Sequence, residues 1–304
     1  MINIFEVGPR DGLQNEKQIV SLHDKVWLIE SLAKAGIKAI ETGSFVRADR
    51  VPQMADSDEL PAKLASIKTS EFWYLVPNLK GLERAIAKGV KNIAVFTAVS
   101  NTFNKNNIGM TVDESFQVIQ DVVTSAKKSG LNIRGYVSTV WGCPFEGKIT
   151  PSQALPVLER MLALPIDQLS IGDTIGVAAP KGVVDIIQPL LKSHATKRLA
   201  VHFHDTRGTA LANALTSYEL GINTFDSSAG GLGGCPFAPG ASGNLATEDL
   251  VYLFKEMGVD TGIDYRALCE TSLELSKRMG GRALPSRALK AYQSNCASNT
   301  AWDQ

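Results

Sequence analysis

Two imidazoles stand two residues apart in Leu199-Ala-Val-His-Phe-His204, an apolar run that reads as a buried strand. Strand side chains alternate between faces, so His202 and His204 point the same way and lie close together. Two buried imidazoles converging on one spot each need a partner. A divalent metal ion is the simplest shared one, since neutral imidazole is a good ligand; core histidines bonded to backbone are the alternative. Carboxylates elsewhere weigh toward the ion. Phe5-Glu-Val-Gly-Pro-Arg-Asp-Gly12 sets Arg10 and Asp11 just past a first strand, in a turn enforced by Pro9 and Gly12. Asp11 could complete a site of two histidines and one carboxylate, and Arg10 could meet an anionic oxygen beside it. Glu41 lies near the end of the apolar run 37–45, and Asp173 ends another at 168–173. Either acid alone could be a strand-end charge or a helix cap. Together they recur at the same end of successive strands, as the histidines do.

The elements that must position these groups alternate regularly. Strand-like runs fall near 2–7, 37–42, 72–77, 92–98, 132–139, 168–172, 199–204 and 223–227. Helical patterns fill the gaps at 22–35, 57–67, 79–88, 112–129, 152–164, 180–193, 208–220 and 246–257. Gly36, Gly89, Gly130 and Gly221 each close a helix just before the next strand. Thr111-Val-Asp-Glu114 and Thr150-Pro-Ser-Gln153 read as helix starts, with Pro151 at the first helical position. Eight strand–helix units predict an α/β fold of the (β/α)8 TIM-barrel type over 1–257. A doubly wound open sheet is disfavoured because no glycine-rich phosphate fingerprint follows the first strand. Barrel enzymes draw their catalytic groups from the C-terminal strand ends, where Arg10, Asp11, Glu41, Asp173, His202 and His204 all fall. Residues 258–304 form a C-terminal extension expected to pack as helices on the barrel or over its mouth.

Composition narrows the class. Lys plus Arg and Asp plus Glu number 31 each among 304 residues, and no basic run occurs, so neither nucleic acid nor an anionic membrane surface is an expected partner. No apolar run approaches the roughly 18 residues of a spanning helix. A strand begins directly after Met1 with no charged and apolar leader, which predicts a cytoplasmic protein. Cys143, Cys235, Cys269 and Cys296 lack metal-finger or redox-pair spacing and read as free thiols. The segment Ala229–Asn244 follows the eighth strand and holds six glycines. With apolar residues interleaved it reads as a mobile catalytic loop, against the alternative of a surface linker. Cys235 at its middle could shuttle a proton or act as a nucleophile, and Asn244 can offer an amide oxygen to the same metal. Cys143 reads as structural.

These segments resemble the 3-hydroxy-3-methylglutaryl-CoA lyase family of metal-dependent barrels. The resemblance runs end to end, through Glu6–Glu16, Val51–Asp56, Gly142–Gly147, Gly172–Gly176, His202–Thr206, Gly231–Pro236 and Gly243–Asp249. It implies that Asp11, His202, His204 and Asn244 hold Mg2+ or Mn2+, and that the substrate is an acyl-CoA thioester. It sets Arg10 beside the thioester carbonyl and Cys235 on a loop that closes over substrate. Glu41 and Asp173 would orient the metal ligands or relay protons. Gln14, Lys17, Ser44 and Asn107 would contact substrate or coenzyme A, and the protein would be a homodimer.

The implied reaction splits a tertiary 3-hydroxyacyl-CoA into a ketone and the enolate of acetyl-CoA; for 3-hydroxy-3-methylglutaryl-CoA the products are acetoacetate and acetyl-CoA. Asp11 would take the hydroxyl proton, Arg10 would stabilise the enolate oxygen, and Cys235 or His202 would protonate the enolate carbon. Arg207, Gly43 and the stretch Arg47–Arg50 depart from the family form and leave citramalyl-CoA or a longer branched acyl group open. A Claisen-condensing synthase shares Arg-Asp and His-x-His but usually carries substantial sequence after the barrel, and only 258–304 follow here. A non-catalytic barrel would be expected to lose a ligand, and all four are present.

Overall fold

In the computed structural model, which describes residues 2–234 and 243–298, eight parallel strands close into a barrel. They are β1 (Asn3–Glu6), β2 (Ala39–Ser44), β3 (Glu71–Leu75), β4 (Asn92–Ala98), β5 (Asn132–Ser138), β6 (Gln168–Asp173), β7 (Leu199–Phe203) and β8 (Thr224–Ser227). Each strand pairs with its sequence neighbours, and β8 pairs back onto β1. The expected (β/α)8 barrel is what the chain forms. In register, His202 on β7 stands beside Gly172 on β6 and Asp226 on β8.

The ring outside comprises α1 (Leu22–Lys34), α2 (Leu60–Leu64), α3 (Leu79–Ala87), α4 (Asn101–Ile108), α5 (Val112–Lys128), α6 (Pro151–Leu162), α7 (Pro180–Leu191), α8 (Ala210–Glu219) and α9 (Thr247–Glu256). The start signals act as written: the Glu114 carboxylate accepts from the Thr111 N–H at 2.7 Å, and Gln153 accepts from the Thr150 N–H at 2.9 Å. The four expected closing glycines all have positive φ, which suits a residue without Cβ. Three details differ from expectation. The helix expected over 57–67 is regular only at Leu60–Leu64, after a 3-10 turn at Pro52–Met54. Helix α4 had no apolar period to betray it: in this mostly polar segment only Phe103 and Asn104 are buried, and the Ser100 hydroxyl caps it by accepting from the Phe103 N–H at 3.0 Å. A small hairpin, Gly142–Cys143 with Gly147–Lys148, follows β5.

Most of the apolar core lies between the barrel and its helices, including Ile133 and Val137 of β5. Alternation therefore turns Arg134 and Tyr136 of the same strand inward. The barrel interior is unusually polar. Small apolar groups (Phe5, Val7 and Trp73; Leu75, Ala94 and Tyr136) are set around fully buried Glu41, Arg134 and Asp226. Arg134 donates to Asp226 Oδ1 at 2.6 Å and lies 3.7 Å above the Phe5 ring.

The chain continues into α10 (Tyr265–Arg278), packed on α1 and α9, and α11 (Arg287–Ser298), packed on α9 and α10. Leu268, Cys269, Leu275, Leu289 and Tyr292 join the same core as the barrel helices. Among the described residues no helix is long and apolar enough to cross a membrane.

Candidate active site

The first cluster is built by an irregular turn. Gly8–Gly12 forms one π-helical turn in place of the simple turn expected there: the Val7 carbonyl accepts from the N–H groups of Arg10, Asp11 and Gly12 at 3.2, 2.8 and 3.1 Å. Gly12 is required, because a Cβ there would lie 2.7 Å from the Ser228 hydroxyl. The widened turn aims Arg10 inward. Arg10 Nε donates to Glu41 Oε2 at 2.7 Å, its Nη2 lies 2.5 Å from the same oxygen, and its Nη1 donates to Asp11 Oδ1 at 2.8 Å. Burial opposes the guanidinium charge, but the carboxylates of Glu41 and Asp11 overcome it and hold Arg10 protonated. Burial also opposes the Asp11 carboxylate; Arg10, then His202 and His204, outweigh it and bring its pKa down to about 2. Glu41 is pushed up by burial against the pull of Arg10.

The second cluster joins β7 to the return of the glycine-rich segment. Asn244 bridges the backbone of His204 in antiparallel fashion, with Leu245 N–H bonded to the Phe203 carbonyl at 2.9 Å and Asp205 N–H to the Gly243 carbonyl at 3.2 Å. Asn244 Nδ2 donates to Asp11 Oδ2 and to the Leu232 carbonyl, both at 3.0 Å. Ligand atoms of Asp11, His202 and His204 all lie within 4.8 Å of one another. The two rings are 5.2 Å apart between centroids. Burial, then the adjacent His202 ring, push His204 down to about 4, so it is a neutral imidazole near pH 7, as a metal ligand must be. Burial lowers His202 too, but the hydrogen bond and charge of Asp226 raise it overall.

Whether a cation suits this spot can be read from what is left unmet. Asn244 Oδ1 and His204 Nδ1 are buried without a hydrogen-bond partner. An unmet buried polar atom costs roughly 1–3 kcal/mol. Acceptors of this kind around a carboxylate, made of imidazole and oxygen donors, fit a divalent ion. The sequence placed Asp11, His202, His204 and Asn244 together, and the fold brings them together.

The remaining candidates divide. Asp173 ends β6 and accepts from the Val177 and Ala178 N–H groups, both at 2.9 Å, so it shapes the loop after its strand. Ser44 is buried, with its hydroxyl donating to the Leu75 carbonyl at 3.3 Å. Gln14 is half-buried just past the π turn. Lys17 is exposed and lines a cleft of about 570 Å3 with Asn15, Arg278 and Arg282. Asn107 is exposed on α4. Cys235 lies outside the described residues, as does the rest of 235–242. The stems of that segment are described: Asn15 Nδ2 donates to the Gly234 carbonyl at 2.9 Å, and a Cβ on Gly243 would lie 2.2 Å from the Gly231 oxygen. Arg207 donates to the Ile175 and Gly176 carbonyls at 2.9 and 3.0 Å, bracing the loop after β6. Cys143 is buried against the Ser100 hydroxyl at 3.0 Å.

Sequence reasoning passed over the groups beneath the site. Asp226 accepts from Ser170 Oγ at 2.7 Å as well as from Arg134, and its Oδ2 lies 3.3 Å from His202 Nδ1. Glu6 and Glu248 are buried near the base of the glycine-rich segment. Glu6 accepts from the N–H groups of Gly8 and Ala229 at 2.7 and 2.9 Å and from Thr247 Oγ1 at 2.6 Å. Glu248 accepts from the Gly230 N–H at 2.9 Å and from Ser272 Oγ. The available signal was a charged residue inside an otherwise strand-like run, as in Asn-Ile-Arg-Gly-Tyr-Val-Ser and Thr-Phe-Asp-Ser.

Comparison with known proteins agrees with this arrangement. The HMGL-like family model matches residues 1–274. The mitochondrial hydroxymethylglutaryl-CoA lyase of Bos taurus is 44% identical over 281 residues, 92% of this chain and 86% of the bovine one. The hydroxymethylglutaryl-CoA lyase of Pseudomonas mevalonii is 43% identical over 298 residues, 96% of this chain and 99% of its own. Among solved structures, an HMG-CoA lyase from Acinetobacter baumannii in complex with coenzyme A and 3-methylmalate superposes with a TM-score of 0.91 at 39% identity, covering 96% of this chain and 95% of that one.

Proposed function

The chain belongs to the HMGL-like family, and from that premise we propose that it cleaves 3-hydroxy-3-methylglutaryl-CoA to acetoacetate and acetyl-CoA. It is a carbon–carbon lyase. The observation that carries the substrate reading is the juxtaposition of a cation site (Asp11, His202, His204 and Asn244) with a buried, carboxylate-braced Arg10. Such a pair suits a substrate with a hydroxyl, a distal carboxylate and a thioester. The coenzyme A and hydroxy-diacid held by the Acinetobacter relative belong to the same chemical class.

A divalent ion, Mg2+ or Mn2+, held by those four residues would acidify the substrate hydroxyl and fix its orientation. The rest falls to the chain. Asp11 is ionised at neutral pH, since its pKa is held to about 2, and it faces the site as an acceptor for the hydroxyl proton. A base of so low a pKa is weak, so its contribution depends on position more than on strength. Arg10 would meet the negative charge that develops on the thioester oxygen as the C2–C3 bond breaks. Glu41 holds the Nε–Nη2 edge of its guanidinium in advance, which reduces the cost of reorienting it during the reaction. His202 and Cys235 are the two candidates for protonating the enolate carbon. Lys17 and its cleft would receive the coenzyme A end, with Gln14, Ser44 and Asn107 proposed nearer the acyl chain and Asp173 shaping the adjoining loop. A cytoplasmic homodimer is part of the proposal, supported by the family resemblance and, for the compartment, by Cys143, which is buried outside any disulfide.

The test is an assay of purified protein with 3-hydroxy-3-methylglutaryl-CoA and citramalyl-CoA in Mg2+ or Mn2+, following acetyl-CoA release. Release from the first, abolished by chelation and restored by either ion, is expected. Preferential release from citramalyl-CoA would move the assignment to that substrate, and full turnover in verified metal-free protein would remove the cation from it.

A further inference from the structure

Beneath the cation site the barrel interior carries three buried polar groups, Arg134, Ser170 and Asp226, that the reaction as described does not use and that lead up to His202. Asp226 is fully buried and its two oxygens are differently committed. Oδ1 takes Arg134 Nη2 at 2.6 Å; Oδ2 takes Ser170 Oγ at 2.7 Å and faces His202 Nδ1 at 3.3 Å. Four consecutive strands supply the set: Arg134 from β5, Ser170 from β6, His202 from β7 and Asp226 from β8, with Asp226 and His202 register partners. Arg134 is itself fixed. It is completely buried, lies 3.7 Å over the Phe5 ring, and donates to the Tyr136 hydroxyl at 3.2 Å. A guanidinium locked in this way holds its carboxylate in one orientation and, by balancing its charge, keeps it ionised in an interior that would otherwise protonate it.

An ionised carboxylate accepts hydrogen bonds and cannot donate them. The imidazole nitrogen that faces it must therefore bear the proton. We propose that Asp226, clamped by Arg134 and Ser170, is a positioning residue that fixes His202 as its Nδ1–H tautomer and so leaves the Nε2 lone pair bare for the ion. His204 has no such partner on its Nδ1, so the two histidines of the motif are not equivalent: one is set from below, the other by its neighbours in the site. The inference rests on the metal reading above, yet it concerns a proton on a ring and can fail while that reading stands.

The tautomer is read directly by 15N NMR of imidazole-labelled, metal-free protein, with the His202 signals assigned by their loss in His202→Gln. Nδ1–H is expected for the neutral wild-type ring, recorded above its titration, and a wild-type Nε2–H signal there would overturn the proposal whatever the enzyme's activity. Asp226→Asn keeps the shape but lets an amide N–H face the ring, so His202 is expected to switch to Nε2–H. Mn2+ binding, followed by electron paramagnetic resonance, should weaken about 10- to 100-fold, the range for lost partners of metal-bound histidines. Unchanged tautomer and unchanged Mn2+ affinity in that variant would refute the clamp. If Asp226→Asn does not fold, Ser170→Ala decides: it removes a competing donor to Oδ2 and should leave the Nδ1–H form in place, whereas a switch to Nε2–H would show that the carboxylate is not what sets the ring.

Discussion

Arg10 sits between two acids, Glu41 and Asp11, and this gives it a role in the chemistry separable from binding. Because the charge it would meet exists only during bond cleavage, Arg10→Gln should lower kcat by about 100- to 1,000-fold with a small change in KM. Steady-state kinetics separates the two, and a loss confined to KM would make Arg10 a ground-state binding group. His204→Ala tests the neighbouring cluster. It should abolish Mn2+ binding, by electron paramagnetic resonance, while the thermal midpoint moves by only about a few degrees, since the ring has an unmet nitrogen in the fold. At this scale the sequence was informative wherever chemistry is repeated in a short string: His-x-His and Arg-Asp announce themselves. Asp226 and Arg134 did not, because each is a single charge in an apolar strand and their pairing spans 92 positions. Only the closed barrel makes them neighbours.

Elements of regular period were legible for the same reason that they form. All eight strands alternate or run apolar, and glycines and capping boxes mark several helix ends. The π turn at Gly8–Gly12 left no such trace, since it differs from a tight turn by where one carbonyl's bonds go. Helix α9 offers a measurable consequence of its burial. Desolvation pushes its Glu248 up to about 8, with the charge of Glu6 adding to it, and desolvation pushes Glu6 up to about 7 against three hydrogen bonds. An unfolded glutamate titrates near 4.5. The folded chain therefore binds more protons between these values, so the contribution of both carboxyls is complete below about pH 4.5 and is lost as pH rises through 7 and 8. The thermal midpoint should fall from pH 6 to pH 9, and Glu248→Gln should flatten that slope. A slope unaltered by the substitution would locate the titration elsewhere.

For the whole molecule, the segment after residue 257 closes the helical ring. Ser272 bonds Glu248, the Ser286 hydroxyl donates to Asp249 Oδ1 at 2.6 Å, and the Ser286 N–H reaches the Gly230 carbonyl at 3.2 Å. Removing 258–304 would strip those partners from buried acids and uncover the apolar faces of α1 and α9. The truncated chain is expected to be insoluble, or to lose its cooperative melting transition in calorimetry; a soluble, cooperatively folding 1–257 would make the extension dispensable. That helices beyond the eighth unit pack on the barrel could be expected, whereas the dependence of α9's acids on them could not, because those bonds join residues far apart in sequence.

The stems of the segment 235–242 touch one another, with Gly231 and Gly233 against Gly243. A segment whose two ends already meet costs little more to close when it lengthens. In hereditary terms the two stems are a fixed frame, and the span between them is a part whose length can vary. Beyond Cys235, changes of length before Gly243 can be tried by a lineage while Asp11, His202, His204 and Asn244 keep their places.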